Sequence, residues 1–275
     1  MSTMSDRVAL ITGCAKAGGI GAACAAALAA RGIVVVVADI EATGVHNALD
    51  PQGAEDKAND GLHKLVDRIT ATGGQASWVQ GDVSNEADAI RMVATVIERY
   101  GHIDILVNNA GAPHGKDRQD FESVPLEAWD LVMGVNAKGC FLMSRAAIPH
   151  MKRQHWGRII NMSSAAGKVG RKHMAVYAAS KAAIMGLSRA IAIEVAAFGV
   201  TVNAVNPGPI LTSRALSSAK RESGDLATGL AARAARVPVG RQGTPEDVAE
   251  MVVYLASDAA SFVTAQSMSV CGGTT

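Results

Sequence analysis

The chain has little that would serve nucleic acids, membranes or metals. Aromatic residues make up only 4% of its 275 positions, too few for the stacking platforms on which single-stranded nucleic acids lie. Neither sign of charge prevails: the net charge is +1, which offers no field to a polyanion or an anionic lipid surface. The most basic stretch, Arg214 to Arg241, is interleaved with Glu222 and Asp225 and reads as a solvated helix face. The cysteines, Cys14, Cys24, Cys140 and Cys271, are scattered. No CxxC or Cys/His ligand spacing occurs, so neither a metal site nor a disulfide framework is expected, and reduced thiols in a cytoplasmic protein are the expected state. Met1 to Arg7 lacks the apolar core of a signal peptide. The strongly apolar run Val34 to Ala38 falls far short of the ~20 residues that span a bilayer, and reads as a buried parallel strand.

What is present is a regular alternation. Hydrophobic residues make up 49% of the chain, ample for one large core. Strands are expected at Val8–Thr12, Ile33–Asp39, Ala76–Val79, Ile103–Asn108, Arg158–Asn161, Val200–Val205 and Ser267–Cys271. Helical patterns lie between them, at Ile20–Arg31, Leu62–Ala71, Glu86–Tyr100, Leu126–Met151, Ala175–Phe198 and Pro245–Ser257. Such alternation predicts βαβ units and a parallel sheet in a single α/β domain over residues 1–275. Gly32, Gly73, Gly101 and Gly199 each follow a helical pattern where a left-handed residue ends a helix. Thr244-Pro245-Glu246-Asp247 is a helix start, with a capping hydroxyl, proline in the first turn and acids behind it. The polar stretch 41–61 is long for a strand-to-helix connection. It reads either as a surface excursion or as a flap near the adenosine end of a cofactor.

The first strand runs into Gly13-Cys-Ala-Lys-Ala-Gly-Gly-Ile-Gly21 and then an alanine-rich helix. A strand opening through glycines onto a helix N-terminus presents backbone N–H groups and the helix dipole to a phosphate. Gly13 permits the tight turn, Gly19 the approach of a pyrophosphate, and Gly21 close helix–strand packing. Asp39 ends the next strand, where a carboxylate accepts hydrogen bonds from the adenine ribose hydroxyls and repels a 2′-phosphate. NAD is therefore expected rather than NADP, although Lys16 in the glycine loop adds a positive charge. Tyr177 and Lys181 stand one helical turn apart on one face. An ammonium beside a phenol favours the phenolate, and such a tyrosine is a general acid/base near neutral pH. Ser164, thirteen positions before Tyr177, is placed to hold a carbonyl or alcohol oxygen.

These motifs together resemble the short-chain dehydrogenase/reductase family, in its compact single-domain form, over nearly the whole chain. Thr12-Gly13 with Gly19-Ile20-Gly21 resembles its glycine motif, with two more residues than usual between the first two glycines. Asp82-Val83 resembles the pair that holds the adenine ring. Asn108-Asn109-Ala110-Gly111 resembles the stretch that stabilises the central strand and lines the cofactor, with Asn109 as the contact. Asn136, Ser164, Tyr177 and Lys181 match the catalytic tetrad. Pro207-Gly208, Ile210 and Thr212 resemble the segment that holds the nicotinamide carboxamide.

The resemblance implies a doubly wound Rossmann domain with a seven-stranded parallel sheet, helices on both faces, and a homotetramer. It also implies hydride transfer between NAD and a secondary alcohol or ketone, with Lys181 binding the nicotinamide ribose and Asn136 holding a relay water. Residues 211–237 are expected to form a mobile substrate lid. His114, Met162, Gly170–Met174 and Leu211 are expected to line a pocket for a hydrophobic, cyclic or aromatic small molecule, and Arg214 is a candidate carboxylate contact. Two other functions remain open: reduction of a 3-ketoacyl thioester, and a dinucleotide-sensing protein without catalysis.

Overall fold

The computed structural model describes residues 6–45 and 61–275. The polar stretch at 41–61 therefore lies largely outside the described residues. Along the chain come β1 (Val8–Thr12), α1 (Ile20–Ala29), β2 (Val34–Asp39), α2 (Gly61–Ala71), β3 (Ala76–Gln80), α3 (Glu86–Tyr100) and β4 (Ile105–Asn108). There follow α4 (Leu126–Met133), a π-turn (Gly134–Lys138), α5 (Gly139–Gln154), β5 (Gly157–Met162), the short α6 (Ala166–Val169), α7 (Ala175–Val195) and β6 (Val200–Pro207). The remainder is α8 (Ser213–Ser223), α9 (Leu226–Ala234), α10 (Pro245–Ala256) and β7 (Ser267–Val270).

The strands form one seven-stranded sheet in the order β3-β2-β1-β4-β5-β6-β7, and every pairing is parallel. Because successive side chains on a strand point to opposite faces, each apolar strand feeds two cores. Ala9, Ile11, Val35, Val37 and Val107 pack with α1, α2 and α10 on one face. Val8, Leu10, Val34, Val36 and Leu106 pack with α3, α5 and α7 on the other. The strand order reverses between β1 and β4. This topological switch point opens a crevice at the carboxyl ends of the strands, where ligands of such sheets bind.

The expected helix stops hold, with Gly32, Gly73, Gly101 and Gly199 all at positive φ. One expectation is corrected. The pattern Leu126–Met151 is not a uniform α-helix, since it is interrupted by the π-turn at Gly134–Lys138. Apolar periodicity cannot register a single widened turn, and Asn136 sits inside it.

The start of α10 is a full capping box. Thr244 Oγ1 accepts from the Asp247 N–H, and Asp247 Oδ2 accepts from the Thr244 N–H. Arg241 grips the same carboxylate at 2.6 and 3.0 Å. Arg241 and the Thr244 N–H hold the Asp247 carboxyl down at about 2, against an ordinary 3.8. A lowered folded pKa stabilises above the unfolded value and loses that stabilisation as pH falls through the folded one. Because the pair is partly exposed, Asp247→Asn should cost only about 0.5–1 kcal/mol at neutral pH. In urea melts the gap between the two proteins should close as pH falls from 3.8 towards about 2. A gap that persists unchanged through that window would show that the charge contributes nothing.

Candidate active site

At the switch point the glycine loop is held by backbone contacts that only glycine permits. Gly13 has φ +73°, and a Cβ there would lie 2.7 Å from Ala110 Cα. A Cβ on Gly21 would lie 2.4 Å from the Gly13 oxygen. Thr12 Oγ1 accepts from the N–H groups of Asn109 and Ala110, both at 3.1 Å. Asn109 Nδ2 donates to the oxygens of Thr12 and Gly13, both at 2.9 Å. The side chain of Asn109 is thus a brace for the loop, and the backbone of Asn109, Ala110 and Gly111 borders the crevice. The loop turns back through Gly19 N–H to the Lys16 oxygen, at 3.0 Å, before Ile20 opens α1.

Asp39 sits at the end of β2 as expected. Its Oδ2 accepts from Ala15 N–H and its Oδ1 from Ile40 N–H, both at 2.9 Å. Burial raises its carboxyl pKa, opposed by those hydrogen bonds and by Lys16. Asp82 Oδ1 accepts from both the N–H and the hydroxyl of Ser84, at 2.8 Å, while Val83 packs against Gly139 at the start of α5.

On the other side of the crevice, a buried polar chain fixes α7. Asn108 Nδ2 donates to Asn161 Oδ1 at 2.8 Å and to Ser144 Oγ at 3.1 Å. Asn161 Nδ2 donates to Ser188 Oγ at 2.9 Å. This ties β4, β5, α5 and α7 together. Asn136 is a second tie. Its Oδ1 accepts from Ala112 N–H and its Nδ2 donates to Ser180 Oγ, both at 2.9 Å. Ser180 Oγ in turn donates to the Tyr177 carbonyl at 2.7 Å.

Helix α7 therefore presents Tyr177, half-buried, and Lys181, buried, at the ends of β5 and β6. The Lys181 ammonium donates to the Met162 carbonyl at 2.8 Å and lies 5.7 Å from the Tyr177 ring centroid. The two serines before them differ. Ser163 is buried, donating to the Lys181 carbonyl at 2.7 Å, whereas Ser164 is half-exposed, its Oγ accepting from Ala166 N–H at 3.2 Å. Of the two, Ser164 is the more exposed.

The carbonyl of Pro207 accepts from Ala165 N–H, and Gly208 N–H donates to Val270. Ile210 bridges to Gly243, and Thr212 caps α8 through its Oγ1. The segment expected to form a lid begins beside the glycine loop, for a Cβ on Gly18 would lie 3.9 Å from Ser213 N. Helices α8 and α9 pack closely, with room only for glycine at Gly229 against the Ala219 oxygen. The side chain of Arg214 lies outside the described residues.

Met162 is corrected as a pocket wall, because its side chain is in the core beneath the sheet and only its carbonyl serves the site. One residue was missed from sequence. Arg118, in the loop after β4, places its guanidinium 4.3 Å from the Tyr177 ring centroid. In sequence it lies within Lys116-Asp117-Arg118-Gln119-Asp120, which looks like a solvated turn. No local signal distinguishes it, because its meaning comes from the fold of the loop onto α7. All four cysteines are free, three of them buried. Among the described residues no group of three His, Cys, Asp or Glu side chains is arranged as metal ligands, and no helix is long and apolar enough to cross a membrane.

A parallel sheet with a glycine loop at its switch point, and a Tyr-x-x-x-Lys helix facing that crevice, defines a nicotinamide-dependent oxidoreductase. The chain belongs to the short-chain dehydrogenase/reductase family. Residues 13–275 match the family model described as Enoyl-(Acyl carrier protein) reductase. The chain is 36% identical over 271 residues to a cis-4-hydroxycyclohexanecarboxylate dehydrogenase of Sinomonas cyclohexanicum, covering 98% of this chain and 97% of that one. Among solved structures it is similar to levodione reductase, with a TM-score of 0.86, 30% identity and coverage of 98% and 97%. It is also similar to an actinorhodin polyketide ketoreductase solved with NADPH, with a TM-score of 0.85, 35% identity and coverage of 100% and 99%.

Proposed function

We propose that this protein is an NAD-preferring dehydrogenase/ketoreductase that interconverts a secondary alcohol and its ketone on a hydrophobic cyclic or aromatic small molecule. The observation that carries the reading is the placement of Tyr177 and Lys181 on α7 at the same crevice as Asp39 and the glycine loop. The site fits a dinucleotide. Gly13 and Gly21 let the loop pack against the Ala110 main chain and the Gly13 oxygen, where a Cβ would collide, and Gly19-Ile20 opens a helix N-terminus suited to a pyrophosphate. Asp39 suits the adenine ribose and Asp82-Val83 the adenine. Asn109–Gly111, Pro207, Gly208, Ile210 and Thr212 would border the nicotinamide end.

When bound, the nicotinamide supplies or accepts the hydride. The residues of the chain handle the proton. In oxidation the Tyr177 phenolate takes the hydroxyl proton of the alcohol; in reduction the Tyr177 hydroxyl returns it to the carbonyl oxygen. Ser164 Oγ donates to that same oxygen and fixes its position. Lys181, held by the Met162 carbonyl, favours the phenolate and would hold the nicotinamide ribose. The Asn136 side chain is engaged with Ala112 and Ser180. A relay water in this region therefore falls to main-chain groups of the π-turn, whose widened geometry redirects carbonyls.

The NAD preference rests on Asp39. A 2′-phosphate would bring a second negative charge against its carboxylate. Asp39→Ser should raise the ratio of kcat/KM with NADP to that with NAD by about ten- to a hundred-fold, or ~1.4–2.8 kcal/mol. A parent enzyme that already uses both equally would overturn the assignment. A second reading, reduction of a 3-ketoacyl thioester, draws on the likeness to the actinorhodin ketoreductase and on Lys16 beside Asp39.

An NADH-absorbance screen over cyclohexanols, aryl carbinols, their ketones and an acetoacetyl thioester decides between the two. Tight NAD binding with no turnover of any would instead favour a dinucleotide-sensing role. We also read the protein as a homotetramer. Phe262, Ile193 and Leu131 are exposed apolar side chains that such contacts would cover, and sedimentation equilibrium tests it.

A further inference from the structure

The loop after β4 puts a second cation at the proposed acid/base. The Arg118 guanidinium carbon is 4.3 Å from the Tyr177 ring centroid, nearer than the Lys181 ammonium at 5.7 Å. Its side chain is only 14% exposed, and its Nε stands 3.0 Å from Oδ2 of Asp117, whose side chain is 2% exposed. Asp117 Oδ1 accepts from Gly115 N–H at 3.0 Å, which fixes the carboxylate within its loop. The arrangement is built rather than incidental, because a long cationic side chain is otherwise among the last to give up solvent.

We propose that Arg118 is a positioning residue that acts through Tyr177, stabilising its phenolate jointly with Lys181. The catalytic meaning rests on Tyr177 being the acid/base of the proposed reaction. A cation over a neutral aromatic ring gains from the ring quadrupole. When the phenol ionises, the same cation meets a full negative charge, and the difference between the two attractions favours the ionised form.

The other ionisable groups around α7 do not duplicate this role. Lys168 of α6 is directed at the Ser267 carbonyl and Ser269 Oγ. His173 lies 3.4 Å from Asp120. Cys140 of α5 is buried, its thiol pushed up to about 12, and stays neutral. Glu127 and Asp130 of α4, Lys138 of the π-turn, and Arg171 and Lys172 before α7 are exposed to solvent, where their fields are screened. His114 shares the loop with Arg118 and is half-buried. Asp117 opposes the phenolate and limits the net effect to about one pKa unit, or tenfold.

The test needs no substrate. The chain has three tyrosines, so the tyrosinate absorbance of the parent minus that of Tyr177→Phe isolates one phenol. That difference titration should move up by about one unit when taken in an Arg118→Met background. Arg118→Lys, which keeps the charge, should fall between the two and covers the case in which Arg118→Met does not fold. Identical midpoints in parent and variants would overturn the proposal. Because the readout is spectroscopic, a moved midpoint without turnover of any alcohol would sink the proposed function and leave the Arg118–Tyr177 coupling standing. Turnover with an unmoved midpoint would do the reverse.

Discussion

Replacing Tyr177 with Phe should lower kcat by about 10³–10⁴-fold, with NAD affinity and thermal stability nearly unchanged. General acid–base catalysis by a positioned group supplies about 10²–10⁴ in rate, and in the proposed reaction one hydroxyl carries the proton in both directions. The ring is kept, so the Arg118 contact at 4.3 Å is kept with it. The position of α7 does not depend on the phenol. It is set by the Asn108–Asn161–Ser188 chain and by Asn136 with Ser180. Lys181→Ala would be a poorer test, since it also leaves the Met162 carbonyl without its 2.8 Å donor, and an unsatisfied buried carbonyl costs about 1–3 kcal/mol. Steady-state oxidation of an alcohol found in the screen, with NAD binding followed by fluorescence, makes the measurement. A Tyr177→Phe enzyme that retained a tenth or more of the parent kcat would remove Tyr177 from the chemistry.

The second large effect is expected at Gly13. With φ at +73°, an alanine there adopts a left-handed backbone, and its Cβ meets Ala110 Cα at 2.7 Å and Ala110 N at 2.9 Å. The Ala110 atoms are main chain and have no rotamer by which to retreat, and Asn109 Nδ2, also at 2.9 Å, is held by the Thr12 and Gly13 oxygens. Left-handed strain of about 1–2 kcal/mol adds to about 1–3 kcal/mol of overpacking. Gly13→Ala should therefore lose roughly 2–5 kcal/mol in urea unfolding and bind NAD more weakly. Gly101 is the control. Its φ is +83° and a Cβ there meets nothing within 4 Å, so Gly101→Ala should lose only the strain, about 1–2 kcal/mol. Equal losses at the two positions would show that the close approach to Ala110 contributes nothing.

Much of this molecule is legible in its residues. The apolar runs that became β1, β2 and β6 are buried along their length, so their composition alone marks them as interior parallel strands. The left-handed glycines and the Thr244 box stop and start helices through purely local geometry, which is why those boundaries held. The glycine loop, Asp39, Ser164, Tyr177 and Lys181 are readable because each motif spans a few residues within or beside one element. The reading failed where the outcome depended on partners distant in sequence. The bracing role of the Asn109 amide was not legible, because it donates to the oxygens of Thr12 and Gly13, nearly a hundred residues earlier. Met162 looked like a pocket wall because the strand's end lies at the site, but its side chain faces the core side of the sheet.

The sequence by itself determined the class of fold, the glycine loop at the switch point and the placement of Tyr177 and Lys181 on one helix face, because hydrophobic period, glycine conformation and helical spacing are properties of short stretches. Only the tertiary structure decided what surrounds that pair. The widened turn at Asn136, the buried asparagine–serine chain behind α7, and Arg118 over the Tyr177 ring all arise from contacts between elements dozens of residues apart. Such contacts form by closing long loops and filling volume, and neither the pattern nor the spacing of nearby residues encodes which groups will meet.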